Sequence, residues 1–156
     1  MPFNYVYIIR RYFFMHEKLT LKQKDKIVKT IYKNYQRAQL DILYMNQHYN
    51  YYPQIDIFKV REPSSSPNTE THLLNQLERK QYLEEYVNIM NQVHSHLSKE
   101  NYFFIENEYL NFYDTNWWIH LFSKATYYRL KHNALNELLD IALNFWSEKE
   151  ILMLLK

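Results

Sequence analysis

The chain has 156 residues, 47% of them hydrophobic, and a formal net charge of +2, which allows one packed domain or a small domain with an appended helical part. It contains no glycine, which excludes the dinucleotide-binding fingerprint, the P-loop and the nucleophile elbow, because each needs glycines at fixed positions. It also contains no cysteine, which excludes disulfide frameworks, thiolate nucleophiles and zinc ribbons.

The N-terminal segment has the wrong order for a signal peptide. An apolar run from Phe3 to Ile9 is followed, rather than preceded, by Arg10 and Arg11. No apolar run in the sequence reaches the roughly 20 residues of a membrane-spanning helix. Together with the lack of cysteine, this predicts a cytoplasmic protein that does not associate with a membrane.

The small net charge hides an uneven distribution of charge along the chain. The stretch from Arg10 to Arg37 holds nine basic residues against Glu17 and Asp25. The balance is acidic from Gln39 to Leu97, and residues 123–132 are basic again without a carboxylate. Such clusters matter more than the total charge for binding to a polyanion.

The first predicted element is a long helix from Leu21 to Gln47, with Thr20 as its N-cap. Its apolar side repeats at intervals of three and four residues and contains Ile27, Ile31, Tyr35, Ala38, Ile42 and Met45. The opposite side carries Lys22, Lys26, Lys29 and Lys33. These lysines either contact phosphates or form the solvated side of an amphipathic helix, and the solvated side is the favoured interpretation.

A linker is predicted next, because periodicity fails and Pro53, Pro63, Pro67 and three serines occur between residues 49 and 71. Thr71 is then the expected cap of a second long helix that extends to Leu97. The predicted inward side of this helix contains Leu74, Leu77, Leu83, Tyr86, Val87, Met90, Val93 and Leu97.

Three further helices are predicted at the C-terminal end. Ser98 caps the first, Asp114 or Thr115 caps a helix of barely two turns, and Ser123 caps a longer helix that extends toward Trp146 and precedes a helical tail. The predicted fold is therefore all-α, with long N-terminal helices and a C-terminal helix-turn-helix. Its predicted parts are a basic helical region (1–48), the linker (49–71) and a helical domain (72–156) with the helix-turn-helix at about 98–146.

A short helix joined to a capped helix by two residues is typical of a helix-turn-helix, in which the second helix enters the major groove of DNA. The predicted inward side of that second helix holds Tyr127, Leu130, Ala134, Leu135 and Leu138. The predicted DNA-binding residues are Ser123, Lys124, Thr126, Tyr128, Arg129, Lys131 and His132. Arginine and lysine suit guanine or phosphate, and the hydroxyls and helix-start N–H groups suit phosphate oxygens.

The segment from Asn116 to Leu135 resembles the end of the ArpU/RinA group of phage-type transcriptional regulators, through its serine, the run Thr126–Arg129 and the Ala134-Leu135 pair. More distantly it resembles region 4 of bacterial sigma factors, where a serine opens the recognition helix. With the glycine-free composition, the resemblance points to a mollicute (Mycoplasma-type) family related to these regulators.

The resemblance covers about the chain from Leu97 onward and, more loosely, the helix from Thr71. It departs from the family pattern at Trp117-Trp118 and in lacking a glycine in the turn. It implies a DNA-binding transcription regulator whose partners are double-stranded DNA and, for a sigma-like factor, RNA polymerase contacted by the N-terminal half.

No catalytic or metal-binding constellation is predicted. His94 and His96 are two residues apart and so lie on different sides of a helix. The pairs Glu84-Glu85 and Glu106/Glu108 are interpreted as solvated charges. We therefore expect no enzymatic activity, cofactor, metal ion or small-molecule ligand. The alternative functions are a protein–protein interaction module built on aromatic side chains and an RNA-binding protein.

Overall fold

The computed structural model describes residues 18–49, 67–111 and 114–156 of the chain. These residues form five α-helices and one π-helical turn and contain no β-strand, so the all-α prediction is confirmed. The elements are α1 (Leu21–Tyr49), α2 (Pro67–His96), α3 (Lys99–Ile105), the π-turn (Glu106–Leu110), α4 (Lys124–Ala142) and α5 (Glu148–Met153). The predictions made for residues 1–17 and for 50–66 of the linker lie outside the described residues. None of the helices described has both the length and the apolar character needed to cross a membrane.

Helix α1 begins where its sequence predicts, at a reciprocal cap between Thr20 and Gln23. The Thr20 hydroxyl accepts the Gln23 N–H at 3.3 Å, and the Gln23 side-chain carbonyl accepts the Thr20 N–H at 2.9 Å. This arrangement satisfies two N–H groups that have no partner within the helix.

Helix α2 begins at Pro67, one turn before the predicted cap at Thr71. Proline suits the first position of a helix because its nitrogen carries no hydrogen and its φ angle is already helical. Residues 67–71 therefore belong to the helix rather than to the predicted linker, and the prediction that Thr71 caps α2 is wrong.

The described residues divide into two compact units, one made of those up to Asn34 and from Asn91 to Lys156, the other of those from Tyr35 to Met90. In the second unit Tyr35, Ala38 and Met90 are buried, and Arg79 pairs with Asp41 at 3.2 Å.

Two leucines of this second unit do not lie where periodicity predicts. Leu74 and Leu77 were expected to face inward but are 54% and 45% exposed. Both leucines therefore occupy exposed positions of α2, although their spacing along the helix suits a buried side.

The core of the first unit is built around α4. The five residues predicted to face inward on α4 are all buried, so that prediction is confirmed: Tyr127, Leu130, Ala134, Leu135 and Leu138. They share the interior with Ile27, Val28, Ile31 and Tyr32 of α1 and with Phe104 and Ile105 of α3. Lys24 is also buried, and its Nζ donates to Asn136 Oδ1 at 2.7 Å.

Helix α3 is capped by Ser98 as predicted, and α4 reinforces that cap. The Ser98 hydroxyl accepts the Asn101 N–H at 3.4 Å. The Glu137 carboxylate of α4 accepts both the N–H and the hydroxyl of Ser98, at 3.1 and 2.9 Å. A negative charge is favourable at a helix N-terminus, so Glu137 joins the two helices at little electrostatic cost.

The segment between the π-turn and α4 differs from the prediction. Residues 114–122, here called the tryptophan segment, form consecutive turns instead of a short α-helix. Most of their main-chain hydrogen bonds connect residues three apart, such as the Ile119 N–H to the Asn116 carbonyl at 3.0 Å. The first helix of the predicted helix-turn-helix pair is therefore replaced by consecutive turns, wound more tightly than an α-helix.

Helix α4 ends at Ala142, before the predicted limit at Trp146, and the chain turns before a short final helix. Ser147 caps α5 in a capping box with Glu150. The predicted C-terminal helical tail is thus a separately capped helix.

An aromatic cluster in the first unit surrounds His94, at the end of α2. The Tyr32 hydroxyl lies 2.8 Å from His94 Nε2, and the two rings stack with centroids 5.6 Å apart. Tyr102 meets the imidazole edge-on at 5.5 Å. Burial lowers the pKa of His94, because the interior disfavours the imidazolium form.

This burial predicts a pH-dependent stability. Since the pKa of His94 is lower in the folded protein than its unfolded value of about 6.5, the unfolded chain gains a proton first as pH falls. We expect stability to be lost below about pH 6.5, with His94→Gln reducing the slope by at most about 1.4 kcal/mol per pH unit. Urea unfolding of the wild type and variant at several pH values measures this, and identical slopes would contradict it.

Candidate nucleic-acid interface

The start of α4 is fixed by a cap between two of the predicted DNA-binding residues. The Ser123 hydroxyl accepts the Thr126 N–H at 3.2 Å and lies 2.9 Å from the Thr126 hydroxyl. Both hydroxyls thus hold the helix start, which places Lys124 at its first position.

Four of the predicted residues lie together on the exposed side of α4: Lys124, Tyr128, Arg129 and His132. Tyr128 is 48% exposed although its ring contacts that of Tyr127 edge-on at 5.3 Å. The sequence contains no aspartate or glutamate between Asp114 and Glu137. No carboxylate of α4 itself therefore lies among these exposed cationic and aromatic groups.

Lys131 is not on this exposed side, and its predicted outward position is wrong. Only 9% of the residue is exposed. Its Nζ lies 2.9 Å from Asp25 Oδ1 and 3.2 Å from Glu108 Oε1, and 5.7 Å from the centre of the Tyr127 ring. The sequence does indicate the buried position, because Lys131 is four residues from both Tyr127 and Leu135 and so lies on the same side of the helix as they do.

The two carboxylates bound to Lys131 have further partners. Asp25 on α1 pairs with Lys29 at 2.7 Å and accepts the Tyr109 hydroxyl at 2.7 Å. The interpretation of Glu108 as a solvated charge is wrong, because its side chain is only 14% exposed. Its carboxylate, on the π-turn, also accepts hydrogen bonds from the Tyr127 hydroxyl at 2.7 Å and from Trp117 Nε1 at 3.0 Å.

This ion network shifts the pKa values of its members in opposite directions. Burial alone would raise the pKa of Asp25, but hydrogen bonds from Lys29, Tyr109 and Lys131 outweigh it and lower the net value. Burial, followed by the neighbouring carboxylates, raises the pKa of both Tyr109 and Tyr127. Asp25 is thus held charged and both tyrosines are held neutral, which suits a network that fixes helix positions.

The tryptophan segment supports the first turn of α4 through aromatic contacts. Trp118 stacks on Tyr127 with ring centres 4.5 Å apart, and Trp117 meets Phe104 of α3 edge-on at 5.5 Å. Although this segment is not a helix, it occupies the place in the chain of the short helix that was predicted before α4. It also leaves Ile119 and Leu121 exposed, at 50% and 59%.

Comparisons of the chain with protein-family models, with curated proteins and with solved structures gave no match. Among the described residues, no group of three or more histidine and carboxylate side chains is arranged to hold a metal ion.

Proposed function

We propose that this protein is a DNA-binding transcription regulator that presents the exposed side of α4 to the major groove. The observation that carries the proposal is the separation of charges around this helix. Asp25 and Glu108 are turned inward onto Lys131, whereas Lys124, Arg129 and His132 face solvent. Within the described part of the chain neither Lys124 nor Arg129 forms an ion pair, and such cations next to an exposed aromatic ring suit a phosphate backbone and base edges.

Each exposed residue has a distinct proposed contact. Arg129 binds a guanine edge through two hydrogen bonds, and Lys124 binds a phosphate or guanine near the helix start. Tyr128 contacts phosphate or a thymine methyl group, and His132 extends the surface by one turn. Ser123 and Thr126 are also proposed to act at a phosphate. Their hydroxyl groups chiefly fix the start of the helix, whose N–H groups then bind the phosphate oxygens. The resemblance to sigma region 4 adds RNA polymerase as a proposed second partner.

The test is a selection of bound sequences from random duplex DNA, with binding then measured for the recovered sequence. We expect Arg129→Ala to weaken binding about tenfold or more and to relax the preference at one base pair. Lys149→Ala, which removes an exposed cation from α5, is the matched control and should leave binding unchanged. The proposal is wrong if no sequence is enriched, or if Arg129→Ala and Lys149→Ala behave alike.

A protein–protein interaction module is the second candidate, favoured by four large apolar side chains that are about half exposed: Phe103, Ile119, Leu121 and Tyr128. Salt separates the two functions, because DNA binding weakens steeply with salt and an apolar interface does not. Competition with duplex RNA of the same sequence tests the third candidate, an RNA-binding protein.

A further inference from the structure

We infer that four lysines of α1 form a second DNA-binding surface, which holds the phosphate backbone beside the groove occupied by α4. This surface, the lysine stripe, consists of Lys22, Lys26, Lys29 and Lys33. The inference rests on the proposed function and adds to it, because the sequence alone favours an ordinary solvated helix side for these residues.

The four lysines of the stripe form a continuous row along one side of α1. All four lysines are exposed, and their spacing of four, three and four residues keeps them on one side of the helix. At a rise of about 1.5 Å per residue the stripe is about 16 Å long. It lines an open groove of about 480 Å³, whose walls also include Gln23, Asp25 and Thr30.

The charge of the stripe is largely uncompensated. Among the described residues that line the groove, Asp25 is the one acidic side chain, and it is shared between Lys29 and the buried Lys131. Lys26 donates to the main-chain carbonyl of Leu155, which is uncharged. Within the described part of the chain, neither Lys22 nor Lys33 forms an ion pair. Most of the positive charge is therefore free to attract phosphates.

The stripe is linked to α4 through Asp25. Because Asp25 binds both Lys29 at 2.7 Å and Lys131 at 2.9 Å, the two ammonium groups meet at one carboxylate. The middle of the stripe therefore lies close to the middle of α4.

The N-terminal part of α1 lies against the middle of α4. Lys24 donates to Asn136, and Asp25 pairs with Lys131. Through Asp25, the stripe is therefore joined to the helix that is proposed to enter the major groove, and the inference is that one DNA duplex contacts both.

The salt dependence of binding tests this inference, since each phosphate contact adds about 0.9 to the slope of log affinity against log salt. The variant is Lys22→Gln with Lys33→Gln, which breaks no ion pair. We expect the slope to fall by about 2 and affinity near 0.1 M salt to fall at least about tenfold. The preferred DNA sequence should not change, because phosphate contacts carry no sequence information.

Two controls isolate the stripe. Lys99→Gln with Lys149→Gln removes the same charge from exposed positions outside the groove and should keep the wild-type slope. Lys22→Arg with Lys33→Arg keeps the charge and should restore the slope. Thermal unfolding of each variant verifies that the fold is intact.

The outcomes distinguish this inference from the function on which it rests. An unchanged slope in the Gln variant, while Arg129→Ala still loses sequence preference, overturns the lysine stripe and leaves the proposed function standing. An equal loss in the Gln variant and in the distant-lysine control also overturns the stripe, because total charge then explains the effect. A wild-type protein that does not bind duplex DNA overturns both.

Discussion

Replacing Lys131 with methionine is expected to lower the free energy of unfolding by about 3 kcal/mol, because it leaves two nearly buried carboxylates without their shared cation. Methionine keeps most of the apolar length of the side chain, so the loss reports on charge more than on packing. Asp25 keeps Lys29 and Tyr109 as partners, whereas Glu108 keeps only neutral donors. Urea unfolding followed by tryptophan fluorescence measures the change.

The matched control is Arg129→Met, on the exposed side of the same helix, which should change stability by less than about 0.5 kcal/mol. A triple variant that adds Asp25→Asn and Glu108→Gln to Lys131→Met should recover part of the loss, since no unpaired buried charge remains. A loss below about 1 kcal/mol in Lys131→Met, or no recovery in the triple variant, would show that the network contributes little.

A lysine on a basic helix can either stabilise the fold or bind DNA. From the sequence, Lys131 resembles Lys124, since both lie in a stretch without carboxylates. In the structure Lys131 binds inward and Lys124 lies on the surface. Reduced DNA binding by Lys131→Met would therefore reflect a displaced helix, whereas reduced binding by a folded Lys124→Ala variant would reflect a lost contact.

The features that the sequence predicts well are those with a local cause. The cap residues Thr20, Ser98 and Ser123 each bond a main-chain N–H three residues further on, so the whole interaction lies within a short window. The buried side of α4 follows in the same way from the helical repeat of its apolar residues.

The features that it does not predict depend on residues far apart in the chain. The burial of Lys131 needs Asp25 from α1 and Glu108 from the π-turn, and no short window contains all three. Leu74 and Leu77 have helical spacing, yet they are exposed. Which side of a helix is covered depends on the elements that pack against it, and the spacing within one helix does not contain that information.

The tryptophan segment is an intermediate case, since its position was predicted and its secondary structure was not. Aromatic side chains lose rotamer freedom in a helix, so Trp117 and Trp118 give weak support to a short isolated one. Here their contacts with Phe104 and Tyr127 stabilise consecutive turns instead. The support for the start of α4 is therefore aromatic packing, and it depends on α3.

Replacing Phe104 with alanine is expected to cost about 3–5 kcal/mol of stability, because it removes a buried aromatic ring at the junction of α3, the tryptophan segment and α4. Phe104 is 2% exposed and contacts Trp117 and Tyr127, each with ring centres 5.5 Å apart. Phe103 is the matched control, since it also meets Trp117, at 6.0 Å, but is 46% exposed. Phe103→Ala should cost less than about 1 kcal/mol by urea unfolding. Equal losses in the two variants would mean that aromatic contact with Trp117, and not the buried junction, holds the segment against α4.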